Sequence, residues 1–93
     1  MAVRYTFDPV KAAANRTAHG VDFAAAGAFD WETALVVEDD RRDYGERRYI
    51  ALGRIRGRIH VMVFTPRGGT VRLISLRKAN DREIRRYEQG EGG

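Results

Sequence analysis

Between Arg47 and Arg77 the chain runs through three consecutive stretches of strand-forming residues, Arg48–Gly53, Arg58–Thr65 and Thr70–Arg77. Their cores, Ile59-His60-Val61-Met62-Val63-Phe64 and Val71-Arg72-Leu73-Ile74-Ser75-Leu76, are rich in β-branched and aromatic side chains. The intervening segments, Arg54-Ile55-Arg56-Gly57 and Pro66-Arg67-Gly68-Gly69, place glycine where a tight reversal needs positive φ. A β-meander is what this pattern permits. Arginines stand in both turns and along the third stretch, so guanidinium groups lie at the rim of an apolar sheet. Such a surface suits a phosphate-bearing partner better than a small neutral one.

The rest of the chain covers or extends that meander. Val3–Phe7 alternates and reads as a short first strand at a sheet edge. Asp8-Pro9 then opens a helix, with aspartate at the N-cap and proline at the first helical position. Phe7 and Ala12 hold the staple positions, and Gly20 closes the helix, which gives Pro9–His19. Asp22 caps a second, short, alanine-rich helix whose apolar face is Phe23, Ala26 and Phe29. Ala34-Leu35-Val36-Val37-Glu38 is the strand that precedes the meander. Asn80-Asp81-Arg82-Glu83 is a capping box for a third helix, with Ala79 and Ile84 as its staple. Helices followed by a run of strands joined by short turns indicate an α+β fold with an antiparallel four-stranded sheet and a C-terminal helix. Residues 1–88 form one domain, and 89–93 a flexible tail.

Seventeen basic residues face thirteen acidic ones, but they are unevenly spread. Residues 1–46 carry five basic and nine acidic side chains, and residues 47–93 carry twelve and four. Fifteen of the seventeen are arginine, the side chain that grips phosphate and carboxylate bidentately. The basic half implies a nucleic acid or an acidic protein as partner, and a merely solvated face is the alternative. The absence of cysteine excludes disulfides and thiolate metal sites. No apolar run reaches the roughly 20 residues of a membrane span, and Met1-Ala2-Val3-Arg4-Tyr5 has no signal-peptide core. A soluble cytoplasmic protein is the expectation.

Several residues could carry chemistry. Lys11, Asn15 and His19 are spaced i, i+4, i+8 and form one polar stripe, which lines a cleft or faces solvent. Arg67 sits in the last turn. Ser75 and Arg77 share one face of the final strand, while Arg72 points to the other. His60, mid-strand between Ile59 and Val61, reads as a satisfied, partly buried histidine rather than a catalytic one. No HExxH, P-loop, GxSxG or CxxC motif occurs, and no metal or other cofactor is expected. If the chain cleaves RNA, a ribose 2′-OH attacks the adjacent phosphorus, a base takes its proton, cations stabilise the phosphorane and an acid protonates the 5′-oxygen. His19 would be base or acid, Arg67 and Arg77 the charge clamp, and Lys11 an assistant to either.

These residues also resemble a known family. Phe7-Asp8-Pro9, Lys11, Asn15, His19-Gly20-Val21, Phe23 and Ala26 resemble the N-terminal signature of the BrnT family. Glu46-Arg47-Arg48, Val63-Phe64-Thr65, Arg67, Arg72-Leu73-Ile74-Ser75-Leu76-Arg77-Lys78-Ala79, Glu83 and Tyr87 extend the likeness over roughly residues 4–88. The chain departs from the commoner pattern at Phe7, Ala18 and Phe64. The resemblance implies a type II toxin with a RelE-like fold, a metal-independent ribonuclease that halts translation. It also implies a BrnA-type ribbon-helix-helix antitoxin, bound as two toxins on an antitoxin dimer, through which alone the assembly meets operator DNA. Arg48, Arg72, Lys78 and Arg82 are then the candidate RNA-binding cations. Two readings compete: a basic module that docks RNA or an acidic antitoxin without turnover, and a structural subunit of a repressor complex. An unpartnered toxin further implies an exposed apolar patch, placed at Phe23, Phe29, Trp31 or the third helix.

Overall fold

The computed structural model describes residues 3–92, with side chains through residue 90. Its elements are β1 (Tyr5–Thr6), α1 (Pro9–His19), a 3₁₀ segment (Phe23–Ala28), β2 (Leu35–Glu38), β3 (Tyr49–Ile55), β4 (Arg58–Arg67), β5 (Thr70–Lys78) and α2 (Asp81–Gly92). Five strands form one mixed sheet in the order β1-β5-β4-β3-β2. Neighbours from β2 to β5 are antiparallel, and β1 joins the outer edge of β5 in parallel.

Local chemistry sets the ends of α1. The Asp8 carboxylate accepts the Val10 N–H at 2.9 Å, Pro9 needs no acceptor, and Gly20 turns left-handed at φ 72°. The second expected helix is a 3₁₀ segment instead. Its buried residues Phe23 and Ala26, with the buried C-cap Phe29, recur every third position, which matches three residues per turn rather than 3.6. Six residues are also too few for an α-helix to repay its nucleation.

Both hairpins close in two residues, Arg56-Gly57 and Gly68-Gly69, with positive φ at all four. That geometry is the type I′ turn, whose twist matches the flanking strands. The strands therefore zip on through Arg54-Ile55 and Pro66-Arg67, so Arg67 is the last residue of β4 and not part of the turn. Helix α2 likewise runs beyond Gln89, where the sequence suggests a tail; Gly93 lies outside the described residues. Gly90 permits close approach to β2, since a Cβ there would crowd the Leu35 methyls.

The sheet is covered on both faces. On one, α1 and the 3₁₀ segment enclose Phe23, Ala26, Phe29, Ala51, Met62, Phe64, Leu73 and Leu76. On the other, α2 encloses Leu52, Ile59, Val61, Ala79 and Tyr87. Phe23 and Phe29 are thus core, and Trp31 is half-buried against Phe29 and Phe64. These three aromatics do not form the exposed patch expected from sequence: the three-residue spacing turns Phe23 and Phe29 inward, and Trp31 packs on Phe29 and Phe64 and donates to the Tyr5 hydroxyl at 2.8 Å. A Cβ at Gly53 would lie 2.8 Å from Cε1 of Phe29, so this glycine is what lets the ring rest on β3.

One irregularity decides the arrangement of side chains. Phe64 pairs with Leu73 but Val63 pairs with Ser75, which leaves Ile74 as the extra residue of a β-bulge. Leu73 and Leu76, three apart, consequently reach the same core.

Candidate functional site

Helix α2 crosses only part of its face of the sheet. The remainder is an open groove of about 610 Å³, with Leu35, Ile50, Leu52, Val61 and Val63 as its floor and Ser75, Arg77, Glu83, Arg86 and Arg41 around it. The floor follows from register: Val37, Ile50, Val63 and Ser75 align across four strands, as do Leu35, Leu52, Val61 and Arg77.

The bulge brings the arginines of β5 onto this face. Plain alternation would put Arg72 opposite Ser75 and Arg77. Val71 and Leu73 both pack on the other core, so Arg72 between them points to the groove's face, and the bulge then restores Ser75 and Arg77 to it. Arg72, Ser75 and Arg77 therefore share a face, a correction to the sequence expectation.

Arg77 is held in place. Its guanidinium donates to Glu83 through two bonds, Nη1 to Oε1 at 2.8 Å and Nη2 to Oε2 at 2.7 Å. The pair raises the pKa of Arg77 and holds the Glu83 carboxyl below its ordinary range. Glu83 is fixed in turn by the capping box: it accepts the Asn80 N–H at 2.9 Å, and Asn80 Oδ1 accepts the Glu83 N–H at 2.9 Å. The first turn of α2 thus aims a guanidinium over the groove. Arg86, one turn further, is exposed and has no acid partner among the described residues.

At the β2 end, Arg41 forms a two-bond fork with Asp39, at 2.7 and 2.9 Å, and the Tyr44 hydroxyl donates to the same carboxylate at 3.1 Å. The Arg41 bonds lower the Asp39 pKa to about 2. Beyond the groove, Glu46 accepts from Arg67 at 3.0 Å and from Arg48 at 3.3 Å, and the Arg48 guanidinium lies 4.1 Å from the Tyr44 ring centroid. Arg67 foremost, with Arg48, holds the Glu46 carboxyl below its usual range.

The structure separates the residues that sequence proposes as one centre. Arg67 ends β4 while Arg77 pairs with Val61, so the two stand six residue steps apart along β4, about 20 Å at ~3.3 Å each. Their guanidinium groups bind different carboxylates, Glu46 and Glu83. Lys11 and His19 are exposed on α1, which packs on the face opposite the groove, and neither has a hydrogen bond or ion pair among the described residues. Asn15, the third member of their stripe, is buried and bonded to Leu76. Lys78 and Arg82 are exposed, at the end of β5 and on α2. His60 is buried, and its Nδ1–H donates to the Arg58 carbonyl at 2.8 Å. No three His, Cys, Asp or Glu residues lie close enough to hold a metal ion among the described residues, and none of their helices is long and apolar enough to cross a membrane.

Glu83, Arg86 and Arg41 are not among the site residues that the sequence proposes. The capping box revealed that Glu83 heads a helix, but not that its carboxylate meets Arg77, which depends on how α2 folds back over the sheet. In comparisons with known proteins, residues 7–83 match a family model described as "Ribonuclease toxin, BrnT, of type II toxin-antitoxin system". No curated protein matches the chain.

Proposed function

The chain belongs to the BrnT family of type II toxin–antitoxin ribonuclease toxins, and on that premise we propose that it cleaves RNA at the arginine-rimmed groove on the α2 face of the sheet. One observation carries this assignment: the Arg77 guanidinium, clamped by Glu83, lines the groove together with Arg86, on the same face as Arg72 and Ser75. A ribose 2′-hydroxyl gives up its proton to water and its oxygen attacks the adjacent phosphorus; the bond to the 5′-oxygen breaks, that oxygen takes a proton from water, and a 2′,3′-cyclic phosphate forms. Negative charge grows on the non-bridging oxygens, and fixed guanidinium groups stabilise that charge without reorganising. Arg77 and Arg86 supply this stabilisation, Glu83 positions Arg77, and Arg72 and Arg48 hold the strand.

No imidazole lines the groove. The rate gain then comes chiefly from charge stabilisation, without a metal and without a matched acid–base pair of histidines. In this reading Lys11 and His19 stand outside the chemistry, and Arg67 binds RNA at a distance from the scissile phosphate. The layout of an antiparallel meander with helices on both faces is read as RelE-like. The cognate antitoxin is a BrnA-like ribbon-helix-helix protein in a 2:2 assembly, and cleavage halts translation in the cytoplasm.

The same lack of a groove imidazole favours a second reading, a non-catalytic basic module that docks RNA or an acidic antitoxin and acts as co-repressor. A gel assay with purified protein, mixed RNA and EDTA separates the two. Wild-type protein cleaves, Arg77→Ala loses at least a hundredfold while keeping its circular dichroism, and His19→Ala stays within about threefold of wild type. A folded Arg77→Ala that cuts at the wild-type rate removes the groove from the reaction. Salt-sensitive binding with no cleavage, with or without ribosomes, establishes the second reading.

A further inference from the structure

The arginines of the α2 face extend past the groove. Along β4 the alternation that puts Val61 and Val63 in the groove puts Thr65 and Arg67 on the same face, and Arg72 pairs with Thr65. Arg48 comes just before Tyr49, the partner of Phe64, and so lies beside Thr65. Arg48, Arg67 and Arg72 therefore gather at the β4–β5 hairpin, away from Arg77. Two of them are held by one acid: Glu46 accepts from Arg67 Nη2 at 3.0 Å and from Arg48 Nε at 3.3 Å. Arg48 also lies over the Tyr44 ring at 4.1 Å, and the Tyr44 hydroxyl is anchored on buried Asp39. Each arginine gives one nitrogen to Glu46. The Nη groups of Arg48, with Nη1 and Nε of Arg67, have no acceptor among the described residues, and the Arg72 guanidinium has none at all. The Arg67 side chain is 58% exposed, so it is tethered yet accessible. Nor do the nearby acids cancel the cluster: residues 39–48 with Arg67 and Arg72 carry six arginines and four carboxylates, and Asp39 is matched by Arg41.

We infer that this cluster is a second, non-catalytic subsite for single-stranded RNA, which holds a phosphate remote from the reacting one and so sets the length of strand that binds well. The inference rests on the reading of the groove as the cleavage site and deepens it. Arg72 stands four residue steps along β4 from Arg77, and Arg67 six, about 13 and 20 Å at ~3.3 Å each. Bases stacked at ~3.4 Å place about four to six nucleotides in that span. Guanidinium groups already oriented by Glu46 meet a phosphate with their remaining donors and lose little side-chain freedom in doing so. Contacts this far from the reacting bond are the same in ground and transition states. They tighten binding without speeding turnover of the bound strand. A staple for loop 39–46 alone would not involve Arg72, which bonds no member of it.

Fluorescence anisotropy of the full chain with labelled 2′-O-methyl RNA, which lacks the attacking hydroxyl and stays intact, tests the subsite. A trinucleotide fills the groove without reaching Arg67, and a dodecanucleotide reaches both. Wild-type protein should bind the longer strand at least tenfold more tightly. Arg67→Gln and Arg72→Gln should each remove at least threefold of that gain, lower the salt slope by about 0.7, and leave trinucleotide binding within twofold. The Arg72 variant does so without disturbing Glu46 or its loop. Arg56→Gln, the same change of charge at the exposed β3–β4 turn, should alter neither length. Equal affinity for the two lengths in the wild type overturns the inference. So do variants that bind the dodecanucleotide like wild type, that weaken both lengths alike, or whose loss Arg56→Gln reproduces. The two readings fail separately. A missing length effect leaves cleavage and its loss in Arg77→Ala untouched, whereas a protein that never cuts still shows the length-dependent binding.

Discussion

Asn15 holds both polar groups of Leu76: its Oδ1 accepts the Leu76 N–H at 3.1 Å, and its Nδ2 donates to the Leu76 carbonyl at 2.8 Å. Nδ2 also donates to Val21 at 3.0 Å. The amide thus substitutes for a neighbouring strand beside β5 and fixes both α1 and the start of the 3₁₀ segment. Asn15→Ala leaves three buried backbone groups unpaired. It should destabilise the fold by about 3 kcal/mol, as read by urea denaturation followed through the single tryptophan, Trp31. Loss of less than about 1 kcal/mol would mean that water replaces the amide.

Gly53 and Phe29 fit because the glycine has no Cβ. Gly53→Ala drives a methyl group into a buried ring on a central strand and should cost about 2–3 kcal/mol. Adding Phe29→Leu should recover part of that loss. A double-mutant cycle without coupling would show that the ring moves freely.

Glu83→Gln keeps an acceptor for the Asn80 N–H but removes the charge that fixes Arg77. RNA binding should hold or strengthen, because a negative charge is lost from the groove. Turnover should fall roughly ten- to hundredfold as the guanidinium loses its aim. A fall in affinity with unchanged turnover would mark Glu83 as a binding residue, not a positioning one.

Acid should unfold the protein through its arginine-paired carboxylates. Asp39 is held at about 2 by Arg41, against an ordinary 3.8. Glu46, through Arg67, and Glu83, through Arg77, also lie below 4.5. A carboxyl whose pKa is depressed in the fold contributes stability above its unfolded pKa and loses it as pH falls through the folded value. The melting temperature should therefore be flat above about pH 5 and fall steadily toward about pH 2. Arg41→Ala should lower the neutral plateau and flatten the acid limb. An unchanged acid limb would detach Asp39 from acid unfolding.

Arg56 occupies the left-handed region at φ 50°, beside Gly57 at φ 82°. Asparagine tolerates that region better, and Asn-Gly is the preferred pair for a type I′ turn. Arg56→Asn should stabilise by about 0.5–1 kcal/mol without changing the sheet, as checked by thermal melts and amide shifts. Destabilisation would show that the Arg56 side chain does something on the surface that its backbone strain conceals.

What the sequence determined by itself is whatever a few neighbouring residues settle. Asp8-Pro9 and Gly20 delimit α1, Asn80 and Glu83 close a capping box, and paired left-handed residues reverse both hairpins; each is a matter of backbone stereochemistry within about five positions. The family signature belongs to the same level, since it is a linear pattern of residues. Tertiary structure decided which side chains face which surface. The extra residue Ile74 moves Arg72 to the face of Ser75 and Arg77, and a one-residue change of register reverses every side chain beyond it. Long-range packing turned Asn15 inward and left Lys11 and His19 outside, which no helical spacing reveals. It also set Arg67 and Arg77 at opposite ends of a hairpin and brought Glu83 to Arg77. Periodicity records that a face is polar or apolar, but only the assembled sheet states what that face meets.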